Sequence, residues 1–95
     1  MRWRVAWEEV VRAAEAARGR SWAELLEAHG DWGRDGAMYY AVRHGGHRLA
    51  EVVAQMQTVK YPAAAQAIKR FGLALENDAV RRRFVADLKR QLSNI

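Results

Sequence analysis

Residues 47–71 read HRLAEVVAQMQTVKYPAAAQAIKRF, and this stretch decides the fold class. Leu49, Val52, Val53 and Met56 fall at i, i+3, i+4 and i+7, the spacing of one apolar helical face, so a helix is expected from His47 to about Met56. Gln57 to Tyr61 make a turn. Pro62 then suits a first helical position, because the amide hydrogen it lacks would be unpaired there. The helix it opens runs to roughly Glu76, with Tyr61, Ala64, Ile68, Phe71 and Leu75 as its buried stripe. At about 100° per residue those five span about 80° of arc. Gln66, Lys69 and Arg70 take the opposite face.

The same period extends outward in both directions. Towards the N-terminus a first helix is expected from about Trp3 to Ala17, with Trp7, Val10, Val11, Ala14 and Ala17 inward and Gly19 as a left-handed C-cap. Ser21 opens a second that stops by Gly30. Ser21 and Glu24 form a capping box, each side chain serving the other's backbone amide, and Leu25 and Leu26 face the core. Asp31 caps a third, Trp32 to about His44, that buries Trp32, Met38, Ala41 and Val42 before Gly45 and Gly46 break it. Gly33 and Gly36 weaken its first turns relative to alanine. Beyond residue 71, Asn77 or Asp78 caps a last helix, Ala79 to about Ser93. Its apolar row is Val80, Phe84, Val85, Leu88 and Leu92, and Arg81, Arg82, Arg83, Lys89 and Arg90 stay outside. No strand alternation, hairpin signal, internal repeat or linker interrupts this pattern. The expectation is an all-α bundle of five to six helices in a single domain covering residues 1–95.

Composition narrows the function classes. A chain of 95 residues with 51% apolar positions can fold as one domain, but is too short for a catalytic and a binding domain together. There are no cysteines, which excludes disulfides, thiolate catalysis and sulfur-ligated zinc. The longest apolar run, Ala37 to Val42, has six residues, against roughly 20 for a membrane span. Glu8 and Glu9 follow the basic start where an export signal would be apolar, so a cytoplasmic protein is expected. The net charge is +5, and residues 61–95, with seven basic and three acidic side chains, carry +4 of it. Such a balance favours a polyanionic partner.

A helix-turn-helix needs a second helix with one anchoring apolar stripe and an opposite face of small, polar and cationic side chains that can reach bases and phosphates. Pro62, Ala63, Gln66, Lys69 and Arg70 meet that need, since Gln66 can read adenine and Arg70 guanine or phosphate. Lys60 and Tyr61 stand where that helix begins. Arg43, His47 and Arg48 are placed toward the DNA backbone, and Arg81, Arg82 and Arg83 offer a further electrostatic contact. The bland alternative is that any surface helix of a bundle shows Gln, Lys and Arg on its wet side.

Other constellations carry less. His44-Gly45-Gly46-His47 lacks a third ligand, so no metal is expected. Tyr39 and Tyr40 point about 100° apart on a helix, which places at least one in the core and argues against a nucleophilic pair. Asp31 and Asp35 can favour a helix N-terminus or pair with Arg34 and Arg43. Trp7, Trp22 and Trp32 lie on apolar stripes and are expected in the core; Trp3 is left open between core and base stacking.

Gly30-Asp31-Trp32-Gly33-Arg34-Asp35, the Leu49 to Met56 helix, the run from Tyr61 to Phe71 and the tail Leu92-Ser93-Asn94-Ile95 together resemble the C-terminal region of REP-associated tyrosine transposases, over about residues 8–95. That region is similar to the DNA-binding C-terminal domain of the bacterial replication initiator, a helix-turn-helix on a small helical bundle. The resemblance implies a non-catalytic module that binds duplex DNA, with no cofactor and no small-molecule substrate. It also has limits. The initiator's recognition helix begins with an acidic residue, a histidine and two hydroxyl residues, where this chain has Lys60-Tyr61-Pro62-Ala63. Initiator-box specificity is therefore not carried over, and backbone binding, or a protein-interaction or homodimer interface, gains ground. The family's nuclease motifs, two metal-binding histidines on a strand and a tyrosine nucleophile, have no counterpart here.

Overall fold

The computed structural model describes residues 4–27 and 31–92. Trp3, Gly30 and Ser93, where helix ends are expected, lie outside them. The described residues form six helices and no strand: α1 Trp7–Arg18, α2 Trp22–Glu27, α3 Gly33–Arg43, α4 Leu49–Met56, α5 Tyr61–Ala74 and α6 Ala79–Leu92. The all-α bundle expected from the periodicity is what the chain adopts.

Local capping chemistry places most boundaries. Gly19 takes φ 67° and closes α1 through its amide on the Glu15 carbonyl at 2.8 Å. The Ser21 amide donates to Glu24 Oε1 at 2.9 Å and the Glu24 amide to Ser21 Oγ at 3.2 Å, a complete capping box. Asp78 Oδ1 accepts from the amides of Val80 and Arg81 at 2.9 and 3.1 Å and starts α6. α1 begins later than its amphipathic period suggests. Residues 4–6 are not helical, because Val5 is buried and its amide donates to the Gly45 carbonyl at 3.0 Å, a long-range tie that helical geometry at Val5 would break.

α3 packs against every other helix, and α1 and α6 also pack together. Its buried residues, Gly33, Gly36, Ala37, Met38, Tyr40 and Ala41, lie on more than one side, as a surrounded helix requires. The glycines that weaken this helix by propensity are the ones that admit its neighbours. A Cβ on Gly33 would stand 2.7 Å from Leu25 Cδ2, and one on Gly36 would stand 2.5 Å from Phe84 Cε2. Around that approach Trp32 meets Phe84 edge-on at 5.2 Å, and Phe71 lies 5.7 Å from Trp32 and 5.1 Å from Tyr39.

Two expected faces are corrected. Val80 is 60% exposed, because α6 turns its Phe84, Val85 and Leu88 row inward and leaves the first turn outside. Arg81 is not a solvated residue: its guanidinium pairs with Asp78 and lies 5.2 Å from the Trp32 ring centroid, where the aromatic face attracts a cation.

Asp31 locks the α3 start. Its carboxylate is 6% exposed, accepts from the Gly33 amide at 2.8 Å, and lies 3.3 Å from Arg18 and 3.5 Å from Arg20. Burial pushes this carboxyl up, but the Gly33 amide and the two guanidinium groups outweigh it and hold it below the usual aspartate range. The unfolded chain therefore takes up the proton first. The stabilisation is complete above the ordinary aspartate pKa of about 3.9 and drains away as pH falls through the lower folded value. Asp31→Asn should lower stability at neutral pH by about 1–3 kcal/mol and flatten the stability profile below about pH 4, measured by urea unfolding across pH. Gly36→Ala should cost about 1–2 kcal/mol by the same measurement, since displacing the Phe84 ring exceeds the gain of about 1 kcal/mol in helix propensity.

Candidate nucleic-acid interface

α4 and α5 are joined by residues 57–60. Gln57 closes α4 in the left-handed region at φ 63°, with its amide on the Val53 carbonyl at 3.0 Å. Val59 is buried and pins the turn to the core, while Lys60, in extended conformation, leads into α5. The helix begins at Tyr61, one residue before Pro62, still within the turn whose amides have no helical partner.

The anchoring stripe of α5 is Ala64, Ala67, Ile68 and Phe71. Tyr61, expected on that stripe, is 53% exposed, whereas Phe71 further along it is buried against Tyr39 of α3. Pro62, Ala63, Gln66, Lys69 and Arg70 are all exposed. At about 100° per residue, Pro62, Gln66, Lys69 and Leu73 fall within about 60° of arc at the centre of the outer face, and Ala63 and Arg70 line one edge. Arg70 Nη1 reaches Gln66 Oε1 at 3.5 Å, a grazing contact one helical turn apart.

The absence of acidic side chains sets this face apart. Several cations elsewhere have a carboxylate partner: Arg4 with Glu51 at 2.9 Å, Arg34 with Asp35 at 3.2 Å, and Arg83 and Arg90, which share Asp87, at 3.6 and 2.6 Å. Between Glu51 and Glu76 the chain has no acidic residue. Among the described residues, Lys60, Lys69 and Arg70 have no carboxylate within ion-pairing distance, nor do Arg12, Arg43, Arg48, Arg82 and Lys89. The acid-free interval was open to sequence inspection as a signal of this face.

The remaining expected residues divide. Arg48 is exposed at the start of α4, where the Glu51 carboxylate accepts from its backbone amide at 2.8 Å and leaves the guanidinium outward. Arg43 is exposed at the end of α3, and it and Lys89 of α6 both bear on His44; burial first, and then these two cations, hold His44 below the usual histidine range. His47 is the correction. It is 8% exposed, its Nε2–H donates to the Val5 carbonyl and its Nδ1 accepts from Arg4 Nη2 at 3.2 Å, so both ring nitrogens are spent inside the protein. Burying Val5 beside the loop after α3 required a partner for its carbonyl, and His47 supplies it.

His44 and His47 thus face different surroundings, with His44 against the rings of Tyr39 and Tyr40. Tyr40 is wholly buried and Tyr39 half-buried on Phe71. Among the described residues no three of His, Cys, Asp and Glu come together as a metal site would need, and no helix is long and apolar enough to cross a membrane. Two shallow grooves lie away from the α5 face: one of about 280 Å³ between Glu9, Arg12, Ala13, Gln91 and Leu92, and one of about 310 Å³ between Leu75, Arg82, Val85, Ala86 and Lys89. Compared with known proteins, the chain matches no family model, no curated protein and no solved structure.

His47→Ala should cost about 2 kcal/mol of stability through the orphaned Val5 carbonyl and lost packing, seen as a lowered melting temperature. Arg48→Ala, one position on, should leave it within about 0.5 kcal/mol.

Proposed function

We propose that the chain is a non-catalytic module that binds duplex DNA, with α4, residues 57–60 and α5 working as a helix-turn-helix and α5 lying in the major groove. The observation that carries this reading is the outer face of α5: exposed, free of carboxylates from Glu51 to Glu76, and bearing cations that no acid of the described chain neutralises. Ala64, Ala67, Ile68 and Phe71 hold the helix from behind, and Pro62 and Ala63 keep its leading turn low enough to approach base edges. Lys60 offers no acceptor to the first α5 amides, which leaves them, with its own ammonium group, suited to a phosphate. The reading agrees with the resemblance to the C-terminal region of REP-associated transposases, a relationship that is likewise proposed.

On this reading Lys60, Lys69, Arg70, Arg48 and Arg43 contact phosphates or groove edges, while Tyr61 flanks the leading turn. His47 supports the fold behind them and makes no contact. A second reading, a homodimer or other protein interface on the same face, draws on one observation: Leu73 at the C-terminal end of the stripe is 59% exposed. Sedimentation with and without added duplex separates the two, because a dimer that covers Gln66 and Lys69 cannot place them in a groove and must dissociate before DNA binds.

If five phosphates are neutralised, log affinity should fall against log salt with a slope of about −4.5, or about 500-fold between 50 and 200 mM. Lys69→Ala should reduce that slope by about 0.9 and weaken all sequences alike, whereas Gln66→Ala or Arg70→Ala should alter sequence preference. A fluorescence titration in which the wild-type chain shows no affinity for any duplex at about 50 mM salt would reject the proposal.

A further inference from the structure

The leading turns of α5 present an unusual mixture for a base-reading surface. Pro62 and Ala63 are exposed and have no polar side-chain atom, and Pro62 also lacks an amide hydrogen. Tyr61, 53% exposed, adds an aromatic edge beside them. Beyond the Tyr61 hydroxyl at the helix start, Gln66, one turn on, is the first side chain whose planar amide can donate and accept side by side. Arg70 Nη1 at 3.5 Å from Gln66 Oε1 biases the amide without saturating it, since a carbonyl oxygen accepts two bonds.

In the major groove, a G·C pair offers polar groups across most of its edge, and apolar side chains pressed against them leave donors and acceptors unpaired. An A·T pair differs in two respects that suit this surface. Thymine carries a C5 methyl group, which prefers an apolar neighbour, and adenine offers a donor and acceptor that a glutamine amide matches. The sequence Pro62, Ala63, Gln66 along one side of the helix supplies the apolar contact first and the bidentate partner one turn later.

We infer that α5 reads A·T pairs, with Pro62 and Ala63 seated on thymine methyl groups and Gln66 on a nearby adenine. The inference rests on the reading of α5 as a major-groove helix and adds the chemistry of its target. With no side-chain hydrogen-bonding group at Pro62 or Ala63, methyl readout rather than polar readout supplies the specificity there.

The decisive experiment changes the DNA and leaves the protein intact. The full chain is titrated, by fluorescence anisotropy at about 50 mM salt, against four labelled duplexes of equal length: alternating A·T, the same with deoxyuridine for thymidine, alternating G·C, and the same with 5-methylcytosine. Removing the thymine methyl should weaken binding about fourfold for each methyl group buried, or about 15-fold for two. Adding the methyl to cytosine should strengthen the G·C duplex. Pro62→Ser with Ala63→Gly, both at exposed positions, should abolish the preference for thymidine over deoxyuridine and leave the salt slope unchanged. Equal affinity for the thymidine and deoxyuridine duplexes, or a preference for G·C, overturns methyl readout while duplex binding stands. Failure to bind all four overturns both.

Discussion

The Phe84 ring approaches the α3 backbone at Gly36 so closely that a single methyl group there would come within 2.5 Å of it, and the bundle is arranged around this approach. Phe84 brings α6 against the middle of the molecule, and Phe71 of α5 and Trp32 at the α3 start close around the same point. Aromatic edges stabilise each other beyond the area they bury, and their preferred offsets restrict how the helices rotate. Rotation is what matters for the outer face of α5. With Phe71, Ile68, Ala67 and Ala64 held inward, Pro62, Gln66, Lys69 and Leu73 have no orientation left except outward. A helix start made poor by two glycines is thus the condition for presenting the candidate site.

What was legible in the residues is largely local. The Gly19, Ser21–Glu24 and Asp78 caps involve partners within four positions, so spacing alone reveals them. The stripes of α4 and α5 were legible because each helix has one buried side. α3 was read less well, since a helix enclosed by all the others loses the one-sided period on which such reading depends. Gly33 and Gly36 looked like weaknesses because their value lies in Leu25 and Phe84, which are remote in sequence or on another helix. The same holds for the candidate site. Gln66, Lys69 and Arg70 followed from the wheel, but His47 was drawn inward by Val5 and Arg4, both about forty residues away.

Electrostatics separates scaffold from surface in a similar manner. The exposed ion pairs, such as Arg4–Glu51 and Arg90–Asp87, contribute little to stability in water. Their larger effect is to cancel field locally, fully at one-to-one pairs such as Arg4–Glu51 and Arg34–Asp35 and in part on α6, where Arg83 and Arg90 share Asp87. No such cancellation occurs between Glu51 and Glu76, and Lys60, Lys69 and Arg70 project there. A modest net charge of +5 therefore understates the positive potential at α5.

The order of side chains along that face weighs between a nucleic-acid and a protein partner. A protein interface concentrates apolar and aromatic anchors at its centre, where water is excluded, and leaves charge to the rim. The α5 stripe has the reverse order: Gln66 and Lys69 occupy the middle, and Pro62 and Leu73 the two ends. Docking a flat apolar partner there would desolvate the Lys69 ammonium group with no carboxylate on this helix to receive it. Against a duplex the same order costs less, because the cations meet phosphates that remain partly hydrated and the small leading residues meet the groove floor. The position of one lysine in the row, more than the number of basic residues in the chain, tilts the reading toward DNA.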